Sequence, residues 1–194
     1  MSSSGILPDG YQPVQYLEST GTQYINTGIN SNKSTGFLID FQNTSSVSTD
    51  FGVIGAQSPN SLRFNIRYYD KYLFTYGVYS QVIASGSAYY NSRMKVECVK
   101  GQIKLNDVVI GGFSLPTGTN YSYPMYIFGT NSTTITLGSL KVYRCTFYSD
   151  RNITHDLIPC YRKSDHEPGL YDIINDTFYT NAGTGTFLVG KNIK

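Results

Sequence analysis

Residues 157–190 read LIPCYRKSDHEPGLYDIINDTFYTNAGTGTFLVG. Short apolar or aromatic runs (LIPCYR, GLYDI, TFYT, FLVG) alternate with polar turn chemistry: a charged loop at Lys163–Glu167, an Asn-Asp pair and a Gly-Thr pair. Runs of that length, bounded by Gly, Pro, Asn and Asp, are strands joined by tight connections. Only a single helical turn, near Ser164–Glu167, is compatible with the local pattern.

The same grammar extends back through the chain. GFLIDFQN (36–43) sets Phe37, Ile39 and Phe41 against Leu38, Asp40 and Gln42, and LRFNIRYY (62–69) sets Leu62, Phe64, Ile66 and Tyr68 against Arg63, Asn65, Arg67 and Tyr69. A period of two marks strands with one buried face. Further strands are expected at Tyr11–Ser19, Thr22–Gly28, FGVIGA (51–56), YLFTYGVY (72–79), RMKVECV, QIKLN, VVIGGF, PMYIFG, TTITLG, LKVYRCTFY (140–148) and ITHDLIPCYR. Asp70-Lys71, Lys100-Gly101 and Asn106-Asp107 stand where tight hairpin turns belong. About a dozen short strands with turns every eight to twelve residues specify an all-β, antiparallel β-sandwich of the jelly-roll type. No amphipathic crossover helix is present to build a parallel α/β sheet. Residues 1–10, Ser-rich and then Pro-Asp-Gly, read as a flexible lead, and 11–194 as one domain. The segments TQYINTG (22–28) and TFYTNAG (177–183) share T-x-Y-x-N-x-G and are expected to lie side by side.

The 194 residues suit one sandwich, and a domain of that size buries about 70% of its unfolded surface without needing metals or disulfides. Charged residues are 14% of the chain, against roughly 25% in an average soluble protein, and the net charge is +2. Arg63, Arg67, Lys95, Lys141, Arg144, Arg162 and Lys163 are scattered, so no nucleic acid partner is expected. Cys98, Cys145 and Cys160 have no framework spacing and fall in apolar strands, which reads as three small core residues in a reducing compartment. No signal peptide is recognised in the first residues, no apolar run reaches membrane-spanning length, and no membrane insertion is expected.

Two segments, LPDGYQPVQYLESTGTQYINTGI at the front and GSLKVYRCTFYSDRNITHDLIPCYRKSDHEPGLYDIINDTFYTNAGTGTFLVG at the back, resemble concanavalin A-like lectin/glucanase (laminin G-like) jelly rolls. They are most similar to the version found in phage and prophage virion or tail proteins and in surface proteins of gut bacteria. The resemblance implies two curved sheets with a glycan site on the concave face or in the edge loops. It further implies a host cell-surface glycan and other virion subunits as partners and location on a virion, with a bacterial cell surface or extracellular location as the alternative; a shallow sugar site would need several copies, so a homo-oligomer or repeated display is expected.

The fold's hydrolases set acids at alternate positions of one strand, so that two carboxyls flank the scissile bond. No such triplet occurs here; Asp165 and Glu167 sit in a charged turn, and no enzyme activity is expected. His155, His166, Cys145 and Cys160 lack zinc-ligand spacing. Asp150, Asn152, Asp172, Asn175 and Asp176 could offer oxygens to Ca2+, as in related lectins, but turn initiation is the simpler reading and no cofactor is expected. The chain holds 18 Tyr, 10 Phe and no Trp. A Tyr ring can stack on a sugar while its hydroxyl bonds the sugar's own, although Tyr is also a good strand former. Tyr72, Phe74 and Tyr76 share a face and read as core. Tyr69, Tyr79, Tyr89, Tyr90, Tyr121 and Tyr123, at strand ends or in loops, are the candidate contacts for a glycan or a neighbouring subunit.

Overall fold

The computed structural model describes residues 7–45, 50–58, 63–77, 79–85, 89, 91–114 and 123–193. The chain opens with β1 (Tyr11–Pro13), β2 (Leu17–Glu18), β3 (Ile25–Asn30) and β4 (Thr35–Asn43). Next come β5 (Phe51–Gln57), β6 (Arg63–Tyr69), β7 (Lys71–Gly77) and β8 (Tyr79–Ser85), then β9 (Arg93–Val99), β10 (Gln102–Leu105) and β11 (Val108–Gly112). The remainder is β12 (Pro124–Ile127), β13 (Gly129–Thr130), β14 (Thr136–Leu137), β15 (Leu140–Ser149), β16 (Asn152–Arg162), β17 (Pro168–Asp172), β18 (Thr177–Thr180) and β19 (Leu188–Val189).

These strands form an antiparallel β-sandwich with jelly-roll character. One sheet has 11 strands, its main path running β11-β10-β9-β4-β15-β16-β17-β18. The other has 6, in the order β3-β12-β5-β6-β7-β8, and β13-β14 make a small extra ribbon. The alternation read from sequence decides which face goes in. On β4, Phe37, Ile39 and Phe41 are fully buried while Leu38, Asp40 and Gln42 face outward, half-buried. Phe37 meets Phe64 and Phe74 of the opposite sheet edge-on, with centroids 5.2 and 6.1 Å apart, and Phe41 meets Tyr72 at 5.7 Å. Rings crossing the gap between two sheets in this geometry fill a core with few voids. Tyr72, Phe74 and Tyr76 are core, as their shared face requires; Leu62, assigned to the same inner face, lies outside the described residues.

Turn chemistry fixes the register. Lys100 and Gly101 have φ of 47° and 78°, and Asn106 and Asp107 have 49° and 68°. Two successive positive values are what a type I′ hairpin turn needs to match strand twist. The single turn expected at Ser164–Glu167 is one His166 N–H to Arg162 carbonyl bond. The two similar segments do meet: the Ala182 N–H donates to the Tyr24 carbonyl, the Thr184 N–H to the Thr22 carbonyl, and the Tyr24 N–H to Asn181 Oδ1. The ordered strand of the first begins at Ile25, later than the sequence pattern indicates. At the chain's start, the Gly10 carbonyl accepts from the Lys163 N–H; residues 1–6 of the expected lead lie outside the described residues.

A second zipper joins the first and last strands. β2 pairs with β15 on one side and with β19 on the other, Val14 bridges Asn192, and β1 pairs with the far half of β16. Segments 11–18 and 188–192 are thereby stitched into or onto the large sheet.

Candidate functional site on the outer face of the large sheet

The outward face of β9, β4, β15 and β16 carries two adjoining depressions that share Tyr148. The one nearer the hairpin tips has a volume of about 460 Å³ and is lined by Glu97, Lys100, Gln102, Lys104, Tyr148 and Arg151. The other, about 330 Å³, is lined by Leu38, Asp40, Lys95, Arg144, Tyr148 and Asp156. With Gln102 and Lys104 of β10 they make one trough across five strands.

Two local features create it. The first is Gly36, the register partner of Tyr148 on β15, which lies against Val99 of β9. With no side chain there, Val99 closes over β4 beside Tyr148. A Cβ at Gly36 would stand 2.8 Å from the Cys98 carbonyl oxygen and 3.1 Å from Val99, so the close approach requires glycine. The second is a β-bulge. Val142 pairs with Phe41 and Arg144 with Asp40, leaving Tyr143 as an extra residue. A bulge sets two residues against one and re-aims the side chains. Tyr143 and Arg144 therefore both leave the core, while Val142, Cys145 and Phe147 remain fully buried.

Most of the charged groups around the trough are closely paired. Arg93 Nε and Nη2 each bond Asp40 at 2.7 Å, and the guanidinium carbon lies 3.7 Å from the Tyr143 ring centroid. The Tyr143 hydroxyl donates to Gln42 Oε1 at 2.8 Å, its ring meets Tyr16 edge-on at 5.5 Å, and Lys141 Nζ sits 4.6 Å from the Tyr16 ring. Arg144 grips Asp156 in a bidentate fork, with Nε to Oδ1 at 2.8 Å, and the Thr146 hydroxyl adds a bond to the same oxygen at 3.2 Å. Lys104 Nζ reaches Glu97 at 2.6 Å and Lys95 Nζ reaches Asp107 at 2.6 Å. Burial pushes the Tyr148 hydroxyl's pKa upward, with Glu97 and Asp156 adding to it, so the phenol is a neutral donor at physiological pH. Hydrogen bonding to Asp40 and Asp156 raises the pKa values of Arg93 and Arg144. The result is a stiff sheet surface that presents aromatic faces beside fixed donors and acceptors.

Of the tyrosines singled out by sequence, Tyr69, Tyr79, Tyr89 and Tyr123 line neither depression. Tyr69 is 58% exposed at the end of β6, with Arg67 5.8 Å from its ring centroid. Tyr79 is 40% exposed at the start of β8, where its hydroxyl bonds Gln81 and the Gly112 carbonyl. The strand register places these two at opposite ends of the six-stranded sheet, so they form no common patch. Tyr89 and Tyr123 are half-buried and pack on the core. Tyr90 and Tyr121 lie outside the described residues. Tyr16, Tyr143 and Tyr148, which the sequence reading did not single out, belong to the trough or its margin. Their one advance signal is the adjacent pair Tyr143-Arg144, which breaks the period of two in LKVYRCTFY.

Among the described residues, no three His, Cys, Asp or Glu side chains gather as metal ligands. The Asp172 carboxylate instead accepts from the Asp156 and Ile174 N–H groups and the Asn175 amide, which builds the β17–β18 turn. His155 lies edge-on to Phe147, and His166 stacks on Tyr161. Cys98, Cys145 and Cys160 are free and buried, and burial raises their thiol pKa values, that of Cys160 to about 12. Among the described residues no helix is long and apolar enough to cross a membrane.

No family model matches the chain, and no curated protein matches it. A solved structure to which it is similar is a mutant of Trypanosoma rangeli sialidase displaying trans-sialidase activity. The similarity has 14% identity and a TM-score of 0.47, over 60% of this chain and 21% of that one. The chain thus spans about a fifth of that protein's length, and a likeness this slight carries no argument about function.

Proposed function

We propose that this chain is a non-enzymatic carbohydrate-binding module of a phage or prophage particle, attaching it to host surface glycans through the outer-face trough. The observation that carries the reading is the placement of Tyr143 and Tyr148 beside the forked pairs Arg93–Asp40 and Arg144–Asp156. A sugar offers apolar C–H faces to a ring and vicinal hydroxyls to a fork of donors and acceptors. Each trough carboxylate is already bridged to its own cation, Asp40 to Arg93, Glu97 to Lys104 and Asp156 to Arg144, which suits holding hydroxyls rather than transferring protons. The particle context rests on the resemblance of the terminal segments. A shallow site with millimolar Kd yields about 4 kcal/mol, so adhesion calls for a homo-oligomer or repeated display, which adds about 10² to 10⁴ in avidity. The reading requires no cofactor.

A glycan array probed with a multimerised form of the full chain tests it. Saturable binding lost in Tyr143→Ala and Tyr148→Ala but retained in Tyr69→Ala supports the trough; absence of saturable binding overturns the reading. A second reading, a structural or decoration subunit of the virion, is favoured by Val82, Val108 and Val109, exposed on edge strands β8 and β11. It requires a sedimenting oligomer that Val108→Lys with Val109→Lys dissociates.

A further inference from the structure

The two halves of the trough differ in charge. In the half around Asp40 and Asp156, every cation has a close carboxylate partner: Arg144 with Asp156, Lys95 with Asp107, and Arg93 at its margin with Asp40. In the half at the hairpin tips, three cations, Lys100, Lys104 and Arg151, face one carboxylate, Glu97. Glu97 is taken by Lys104 at 2.6 Å. Lys100 Nζ stands 3.7 Å from Asp150 at the rim, both side chains about half exposed (48% and 53%), a loose contact that water screens. Arg151 makes no ion pair among the described residues. The Gln102 side chain and the Tyr148 hydroxyl add neutral donors.

This arrangement is held in place by the fold. Lys100 sits on the β9–β10 tip, fixed by the positive φ values of Lys100 and Gly101. Arg151 sits on the β15–β16 tip, anchored by the Asp150 N–H to the Ser34 carbonyl. Strand order brings the two tips to either side of the start of β4.

We infer that the trough takes an acidic saccharide, its anionic group among Lys100, Lys104 and Arg151 and its neutral ring along Tyr148. The inference rests on the glycan-binding reading of this site and narrows it to a ligand class. The anion is a carboxylate or a sulfate, since both present several oxygens to separated cations.

The test uses the full chain and four probes: oligogalacturonate and its fully methyl-esterified form, and dextran sulfate and unmodified dextran oligomers of equal length, alongside the glycan array. Titration calorimetry is expected to show an acidic member bound about tenfold or more tightly than its neutral counterpart at low salt, the value of one charge-assisted hydrogen bond. The gap narrows as salt rises. The first pair reads a carboxylate preference and the second a sulfate preference. Lys100→Asn with Arg151→Gln, both at exposed turn positions, is expected to erase the gap and keep the thermal midpoint. Equal binding of acidic and neutral members overturns the inference while the glycan reading stands, as does a gap that survives the double substitution. No binding to any probe or array glycan overturns both.

Discussion

Replacing Phe37 by Ala tests whether the two sheets are held together as described. Phe37 is fully buried on β4 and touches Phe64 and Phe74 of the facing sheet. Returning the lost ring surface to water costs about 2–3 kcal/mol, and a cavity that does not collapse brings the total to about 3–5 kcal/mol. Collapse is resisted here because the surrounding rings are themselves locked: Phe64 contacts Phe74 and Tyr76, and Phe74 contacts Phe113. For a domain of this length, about 4 kcal/mol lowers the thermal midpoint by roughly 8–16 °C. Denaturant titration of Phe37→Ala, Phe64→Ala and the double variant measures both the loss and the coupling. Coupling of about 0.5–1.5 kcal/mol is expected for an edge-to-face pair. Tyr69→Ala, on the solvent side of β6, is the control and should change stability by less than about 0.5 kcal/mol. A Phe37→Ala loss below about 1 kcal/mol with no coupling to Phe64 would refute face-to-face packing through this cluster.

Other consequences are equally open to measurement. Gly55 has φ of 131°, and a Cβ there would lie 2.2 Å from the Phe64 carbonyl oxygen, so Gly55→Ala should cost more than about 2 kcal/mol in a urea titration; a neutral outcome would contradict the β5–β6 register. Arg144→Met leaves Asp156, whose side chain is 7% exposed, without its fork, and a loss of about 1–3 kcal/mol at pH 7 is expected by chemical denaturation, partly recovered when Asp156→Asn is added. The Asp165 carboxyl is held down to about 2, first by the Arg162 fork and then by the Glu167 N–H. Its folded value lies below its unfolded one, so the pair supports the fold above about pH 4 and that support fades as pH falls through about 2. Carbon-detected NMR should show this low titration, moving toward the ordinary Asp value in Arg162→Ala. The three buried thiols should be silent to Ellman's reagent in the native protein and react together on unfolding; a fast native phase would contradict their burial.

The alternation of β4 and β6 and the turns at Lys100-Gly101 and Asn106-Asp107 were legible before any coordinates, because a period of two and a demand for positive φ are local properties. Strand neighbours were not. β4 lies between β9 and β15, partners roughly 55 and 105 residues later in the chain, and no local pattern encodes that choice. The trough is illegible for the same reason: the sequence reading picks tyrosines at strand ends and in loops, whereas the trough gathers Asp40, Lys95 and Tyr148 from three separate strands. The bulge at Tyr143 leaves a trace in the sequence, the broken period of two at Tyr143-Arg144, but the register it shifts shows only against β4.

The pairing of β2 with β15 and β19 also constrains how the molecule is made. Leu17 leaves the ribosome well before its cross-strand neighbours, Val142 and Val189, are synthesised. The β2 segment must wait without these partners while the residues up to β15 and β19 are made. Folding of this sandwich is therefore completed only after synthesis has passed Val189, and a chaperone that shields the early strands should raise the yield more than slower elongation would.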